Sequence, residues 1–357
     1  MNTIPKTKLL SLSQFVHHHL LWFLISVYAI AAVIPGPGLW IRKISFGHLS
    51  VFQTKLDASL LLLLLATLMF NAGLGVKTEH LKALVQKTWV LGAGLAANLL
   101  IPIGYIFGVS LVMQLWHNPE EAQHILVGLA LVAAMPIAGA STAWAQNSNG
   151  NLALSLGLVL SSTILSPIIT PMAFYVFGEM ASDEYETVLH HLAEYGSGTF
   201  LGVWVVLPSL LGLALRFAVP EPRLIAVMPY LKLINSIVLL VLNYSNASVS
   251  LPQALADRDW DFLAVTLAIT TGLCLTAFAA AYGLSSFFKV NRAERVSLMY
   301  GLGMNNNGTG LVLASLALAE YPRVMVPIIF YNLVQHLVAG GIHEVLGRNM
   351  VDQRPGR

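Results

Sequence analysis

The chain is 357 residues long, with 56% hydrophobic residues, 10% charged residues and a formal net charge of +2. Soluble domains carry about 25% charged residues, so this composition excludes an ordinary soluble globular protein and points to a polytopic membrane protein. The small positive charge gives no sign of nucleic-acid binding, and the single cysteine, Cys274, excludes an intramolecular disulfide framework or a cysteine metal cluster.

Apolar runs of about 20 residues, the length that crosses a bilayer, follow one another along the chain. They lie near Phe15 to Ile34, Asp57 to Val76, Trp89 to Met113, Ile125 to Gln146 and Leu152 to Val176. After an acidic connection holding Glu179, Asp183, Glu184, Glu186 and Glu194, they resume at Thr199 to Val219, Leu231 to Ala247, Phe262 to Phe287, Val296 to Leu318 and Val324 to Val345. The first run follows two lysines but is long and has no small-residue cleavage pattern, so it is expected to be a retained helix rather than a signal peptide. His17, His18 and His19 open it at the expected membrane interface.

Ten spans place both termini on one side. With the N-terminus inside, the inner segments hold Lys6, Lys8, Lys77, Lys82, Lys87, Arg216, Arg223, Lys289, Arg292, Arg295, Arg348, Arg354 and Arg357. The outer loops then hold only Arg42, Lys43, Lys55, Arg258 and Arg323. The positive-inside rule therefore predicts cytoplasmic termini. Lys232 follows Pro229 and is expected near the cytoplasmic end of span seven, where it can snorkel to water.

Two interruptions stand out. Pro136 to Gly150 breaks the fourth run, and Met304-Asn305-Asn306-Asn307-Gly308-Thr309-Gly310 breaks the ninth. Hydrocarbon offers no hydrogen bonds, so unwound backbone survives at membrane depth only against protein or a water-filled cavity. Breaks at matching places in two halves mark the binding centre of a transporter. The second spans also correspond: Asn71 and Asn243 are each expected about one turn from a helix end. The predicted fold is thus all-α, one transporter domain over residues 1–357. Its ten helices form two inverted five-helix repeats, about 15–178 and 195–346, with helices four and nine broken.

In the first break Ser141, Thr142, Gln146 and Asn147 supply oxygens, and Ser155 projects from the next helix; in the second, Asn305, Asn306, Asn307 and Thr309 do so. Neutral hard oxygens with freed carbonyls suit a small hard cation, sodium before others, and not a transition metal. Each break also exposes a helix N-terminus able to hold an anion. Single asparagines such as Asn71, Asn98, Asn235 and Asn332 read as interhelical glue. Three consecutive asparagines cannot serve one helix contact, because successive residues point to different faces. His336 in span ten is a candidate for proton coupling. The breaks contain no His, Cys, Asp or Glu, which leaves an enzyme without its machinery.

With these residues in view, the chain resembles the bile acid:sodium symporter family over nearly its whole length. The resemblance rests on Pro136 through Pro171, with Gly150-Asn151-Leu152-Ala153-Leu154-Ser155, Ser162-Thr163, Ser166-Pro167 and Thr170-Pro171. It rests also on Gly303-Met304-Asn305-Asn306-Asn307-Gly308 and, more weakly, on Asn98. The resemblance implies a panel of spans one, two, six and seven and a core of spans three to five and eight to ten, with the broken helices four and nine crossing near the midplane. It further implies sodium sites carried by Asn98, Ser141, Thr142, Ser155, Asn305 and the carbonyls of Leu302 and Met304. The sequence departs from the family at Gly301, where a shared glutamate is expected, at Thr142 in place of an asparagine, and at Val159 in place of a threonine.

The function these features imply is secondary active transport of a small organic anion in a bacterial inner membrane. Sodium is the expected coupling ion, without other cofactors, with coupling weakened by the missing carboxylate. Thr142, Asn306, Asn307, Gly308 and Thr309 are the expected substrate contacts. The alternatives are an uncoupled or proton-coupled facilitator and a membrane binding or sensing protein on the same fold.

Overall fold

A computed structural model describes residues 15–16, 19–51, 54–76, 88–256 and 258–351. His17 and His18, and Lys6, Lys8, Lys77, Lys82, Lys87, Arg354 and Arg357, lie outside the described residues. The chain divides into two compact units. Unit 1 comprises Met1–Val76, Phe200–Asp259 and Leu311–Met325; unit 2 comprises Lys77–Thr199, Trp260–Gly310 and Val326–Arg357.

In unit 1, helix α1 (Leu20–Val33) turns by 95° into a short helix α2 (Gly36–Arg42). Pro35 sits at the turn, where a missing N–H is cheapest at a helix start. An antiparallel hairpin follows, β1 (Ser45–Val51) with β2 (Thr54–Ser59), paired His48 to Asp57 and Val51 to Thr54. Its register shifts between Ser45 and His48, where Gly47 has φ of 101°, a conformation that glycine adopts at no steric cost. The hairpin departs from the all-α expectation and shortens the second span. Helix α3 (Leu60–Leu74) begins only after β2, capped by Ser59, whose Oγ accepts the Leu62 N–H at 3.4 Å.

Helix α3 packs on the span Ser197–Ala218, here α9, through paired glycines. A Cβ on Gly73 would lie 2.0 Å from the Ser209 carbonyl oxygen, and one on Gly212 would lie 2.0 Å from that of Phe70. The two backbones therefore touch, as small residues permit in membrane helices. Helix α10 (Glu221–Ala256) is far longer than the predicted seventh span. Asn243 consequently lies well inside it rather than a turn from its end. The Asn243 Oδ1 accepts from the Tyr28 hydroxyl at 2.6 Å, and Asn71 donates to Asn235 Oδ1 at 2.8 Å. Both contacts are interhelical glue. Lys232 is an exposed residue within α10. Arg42, expected in an outer loop, is half-buried at the end of α2, donating to Asn246 Oδ1 at 3.0 Å and to the Ser315 carbonyl at 2.7 Å.

Unit 2 contains α4 (Thr88–Met113), α5 (Pro119–Ala134), α6 (Ala140–Asn147) and α7 (Leu152–Gly178), followed by the amphipathic α8 (Asp183–His191). Its second part runs through α11 (Trp260–Phe287), α12 (Arg292–Gly303), the first turn of α13 (Asn307–Ala317) and α14 (Met325–Val351). Side-chain caps set several starts. The Asn118 Oδ1 accepts from Glu120 N at 3.1 Å, and the Asn151 Oδ1 from Leu154 N at 3.1 Å. Asn291 and Glu294 form a reciprocal capping box.

Among the described residues six helices are long and apolar enough to cross a membrane, or seven if the bent α1–α2 pair is one span. The predicted fourth and ninth spans fall short as single helices because each is cut in two.

Candidate functional site

The two cuts meet. Pro136 ends α5: the preceding Met135 is held extended at ψ 149°, as a residue before proline must be. Across from it the chain unwinds at Met304, also extended. Ile137 and Asn305 pair as an isolated antiparallel bridge. The Ala138 N–H donates to the Met304 carbonyl at 2.9 Å, and the Asn306 N–H to the Pro136 carbonyl at 2.8 Å.

The carbonyls freed by the first break are answered by side chains. Asn305 Nδ2 donates to the Val132 oxygen at 2.9 Å, and the Thr170 hydroxyl to the Ala134 oxygen at 2.6 Å. The Ile137 N–H finds Ser162 Oγ at 3.1 Å, and the Asn305 N–H finds Gln335 Oε1 at 3.0 Å. The Tyr331 hydroxyl donates to the Gly303 oxygen at 3.3 Å. Buried backbone groups without partners cost about 1–3 kcal/mol each, so these contacts stabilise the unwound segments.

Against this background the unpaired atoms are informative. Ser141 Oγ, Asn305 Oδ1, Thr309 Oγ1, Asn98 Oδ1 and both side-chain polar atoms of Asn307 are buried with no hydrogen-bond partner. Ser141 and Thr309 are fully buried and Asn307 nearly so. Ser141 is in the first turn of α6, while Asn307 and Thr309 are in the first turn of α13. The two helix N-termini thus carry hard oxygens that no other group of the protein satisfies, which leaves them available to a bound water or ion.

Other expected ligands are placed less simply. Thr142 accepts from Ser155 Oγ at 3.2 Å. Asn306 caps α13, its Oδ1 accepting from Thr309 N at 3.3 Å. Gly308 has open space, its nearest Cβ contact being Asn306 Oδ1 at 3.7 Å. The Met304 carbonyl already holds Ala138, leaving one lone pair. The Leu302 side chain joins an apolar cluster with Ile137, Leu154, Leu158 and Leu298. Asn98, on α4, lines a cavity of about 170 Å³ with Met135, Pro136, Ser162, Ser166 and Thr170.

Gly301 is the most telling departure. A Cβ there would lie 2.8 Å from Leu158 Cδ1, so leucine occupies the direction in which a side chain at 301 would grow, and Val159 packs on the same cluster. A longer side chain at 301 would therefore need Leu158 to shift. The sequence reading missed Gln335, Ser162, Thr170 and Tyr331 as supports. Ser162 and Thr170 stand in the stretch that carries the family resemblance, and Gln335 lies one turn from Asn332 in an apolar span; Asn332 Oδ1 accepts from its Nε2 at 3.3 Å.

A model of the Sodium Bile acid symporter family matches residues 62–254, more than half the chain. The chain belongs to this family. It is therefore an integral membrane protein of a transporter family, not an enzyme. "Uncharacterized protein YbaS" of Bacillus subtilis is 29% identical over 225 residues, covering 62% of this chain and 69% of the relative. "Uncharacterized sodium-dependent transporter YocS" of the same organism is 30% identical over 145 residues, covering 40% of this chain and 43% of that protein. "Probable sodium/metabolite cotransporter BASS2, chloroplastic" of Oryza sativa subsp. japonica is 25% identical over 276 residues, covering 77% of this chain and 60% of the relative. The family match includes the first break and stops before the second.

Proposed function

We propose that this chain is a sodium-coupled secondary transporter of a small organic anion, working by alternating access around the paired breaks. The observation that carries the reading is the set of orphaned buried oxygens on Ser141, Asn305, Asn307 and Thr309 at two facing helix starts. Sodium, a substrate here, suits the oxygens of Ser141, Thr142, Ser155, Asn98 and Asn305 with the carbonyls of Leu302 and Met304. The anion suits the positive ends of α6 and α13, with Thr142, Asn306, Asn307, Gly308 and Thr309 around it. Two relatives bear sodium in their names, which supports the choice of ion.

The reading includes ten spans as two inverted repeats in a bacterial inner membrane, with both termini cytoplasmic. It takes spans one, two, six and seven as a panel and the rest as a core. Support comes from the composition of the units. Unit 1 gathers the elements of the four panel spans with Leu311–Met325, and unit 2 gathers the remaining elements.

Gly301 favours a second reading, in which coupling is weak or lost and the protein acts as a facilitator. A cation among neutral oxygens keeps its charge in a medium where unpaired charge is costly. Thermal stability of the purified protein in sodium against matched potassium decides between them, because a ligand of the folded state raises the midpoint. A sodium-specific rise, lost in Asn305→Ala and Ser141→Ala, is expected. No rise at high salt, with or without a candidate carboxylate, removes sodium coupling.

A further inference from the structure

Away from the breaks, the turn between α4 and α5, the first turn of α5 and the first turn of α11 bring together an imidazole and two carboxylates. The ligand-type atoms of His117, Glu121 and Asp261 all lie within 4.8 Å of one another. His117 Nε2 stands 3.3 Å from Asp261 Oδ2. Two ligands bound tetrahedrally to zinc at 2.0–2.1 Å are about 3.3 Å apart, so this pair already has the separation a metal would impose.

The charges point the same way. Glu121 is only 4% exposed. Its carboxylate oxygens accept from Trp116 Nε1 at 2.9 Å and Asn118 Nδ2 at 2.7 Å, both neutral donors. Asp261 pairs with the imidazole and Glu121 lies within 4.8 Å of both, so two carboxylates stand beside a single imidazole. A buried carboxylate beside a second one, without full counter-charge, is costly. The same two donors fix the Glu121 carboxylate in orientation, as outer hydrogen bonds do for metal ligands. His117 and Asp261 are 62% and 57% exposed, which gives an ion its entry path and room for a water ligand.

We propose that His117, Glu121 and Asp261 bind one divalent transition-metal ion of the zinc type, completed by water, which staples the start of α11 to the α4–α5 turn. This site is independent of the transport reading, and its test does not use transport.

The full chain, purified in detergent through a tag without histidines and stripped with chelator, is titrated with zinc chloride. Calorimetry and metal content after desalting give the stoichiometry and affinity. One zinc per chain and a raised thermal midpoint are expected, with binding at least tenfold weaker in His117→Ala and in Asp261→Asn. Both altered side chains are exposed, so these variants report on the metal without emptying the core. A triple replacement of His17, His18 and His19 by serine is expected to keep the full affinity. Absence of zinc binding in the unaltered chain overturns the proposal, as does binding that survives His117→Ala and Asp261→Asn or vanishes with the triple replacement.

Discussion

The first break is built on a proline and hydroxyls, the second on a run of amides, and the two divide their labour differently. Pro136 removes a donor and forces extension, so the chain must unwind there whatever surrounds it. At Met304 no residue forbids a helix; unwinding there is secured by Asn305, which takes over the Val132 carbonyl, and by Asn306, which starts α13 afresh. One break is imposed by covalent chemistry and the other is held by side-chain contacts, so the second should be the easier to damage.

The largest expected loss follows from that contrast. Asn305→Leu leaves the Val132 carbonyl without a partner and should lower stability by about 1–3 kcal/mol, read as a fall in thermal midpoint and loss of any sodium response. Asn306→Ala removes a helix cap and should cost about 1 kcal/mol. On the proline side, Ser162→Ala strands the Ile137 N–H and should cost about 1 kcal/mol; a loss exceeding that of Asn305→Leu would reverse the comparison. Asn307→Leu should leave stability unchanged or slightly raised, since its polar atoms have no partner to lose, while abolishing the thermal shift given by a candidate carboxylate. A marked destabilisation by Asn307→Leu would mean that the residue is structural.

Gly301 sharpens the comparison through the ion. Gly301→Glu alone should destabilise, because Leu158 stands in the way. Combined with Leu158→Ala it should fit and strengthen sodium binding by about tenfold, equivalent to about 1.4 kcal/mol. A double variant that folds but gains no sodium affinity would show that this position lies outside the ion's reach.

Much of this was readable in advance for physical reasons. Proline and consecutive asparagines act locally, so Pro136 and the string at Met304 mark where each break starts; the expected extents, to Gly150 and to Gly310, were too long, because helix resumes at Ala140 and at Asn307. The paired breaks themselves required only the premise that unwound backbone must be answered by protein. Partners distant in sequence were not readable: nothing local marks Leu158 as the residue that fills the space at Gly301, or Gln335 as the acceptor for Asn305. The β1–β2 hairpin was hidden because Asp57 and its neighbours adjoin an apolar run that begins only at Leu60. Asn243 lies well inside α10 because the helix runs on past Ala247, with Ser245, Asn246, Ser248 and Ser250 all buried along it.

Pro136 lends its carbonyl to Asn306, and Met304 lends its carbonyl to Ala138, so neither break has its own hydrogen-bond economy. The four half-helices α5, α6, α12 and α13 are consequently tied at one knot. Sliding one past another would open both bonds at once. The two breaks therefore hold or yield together, and damage to either is felt at both.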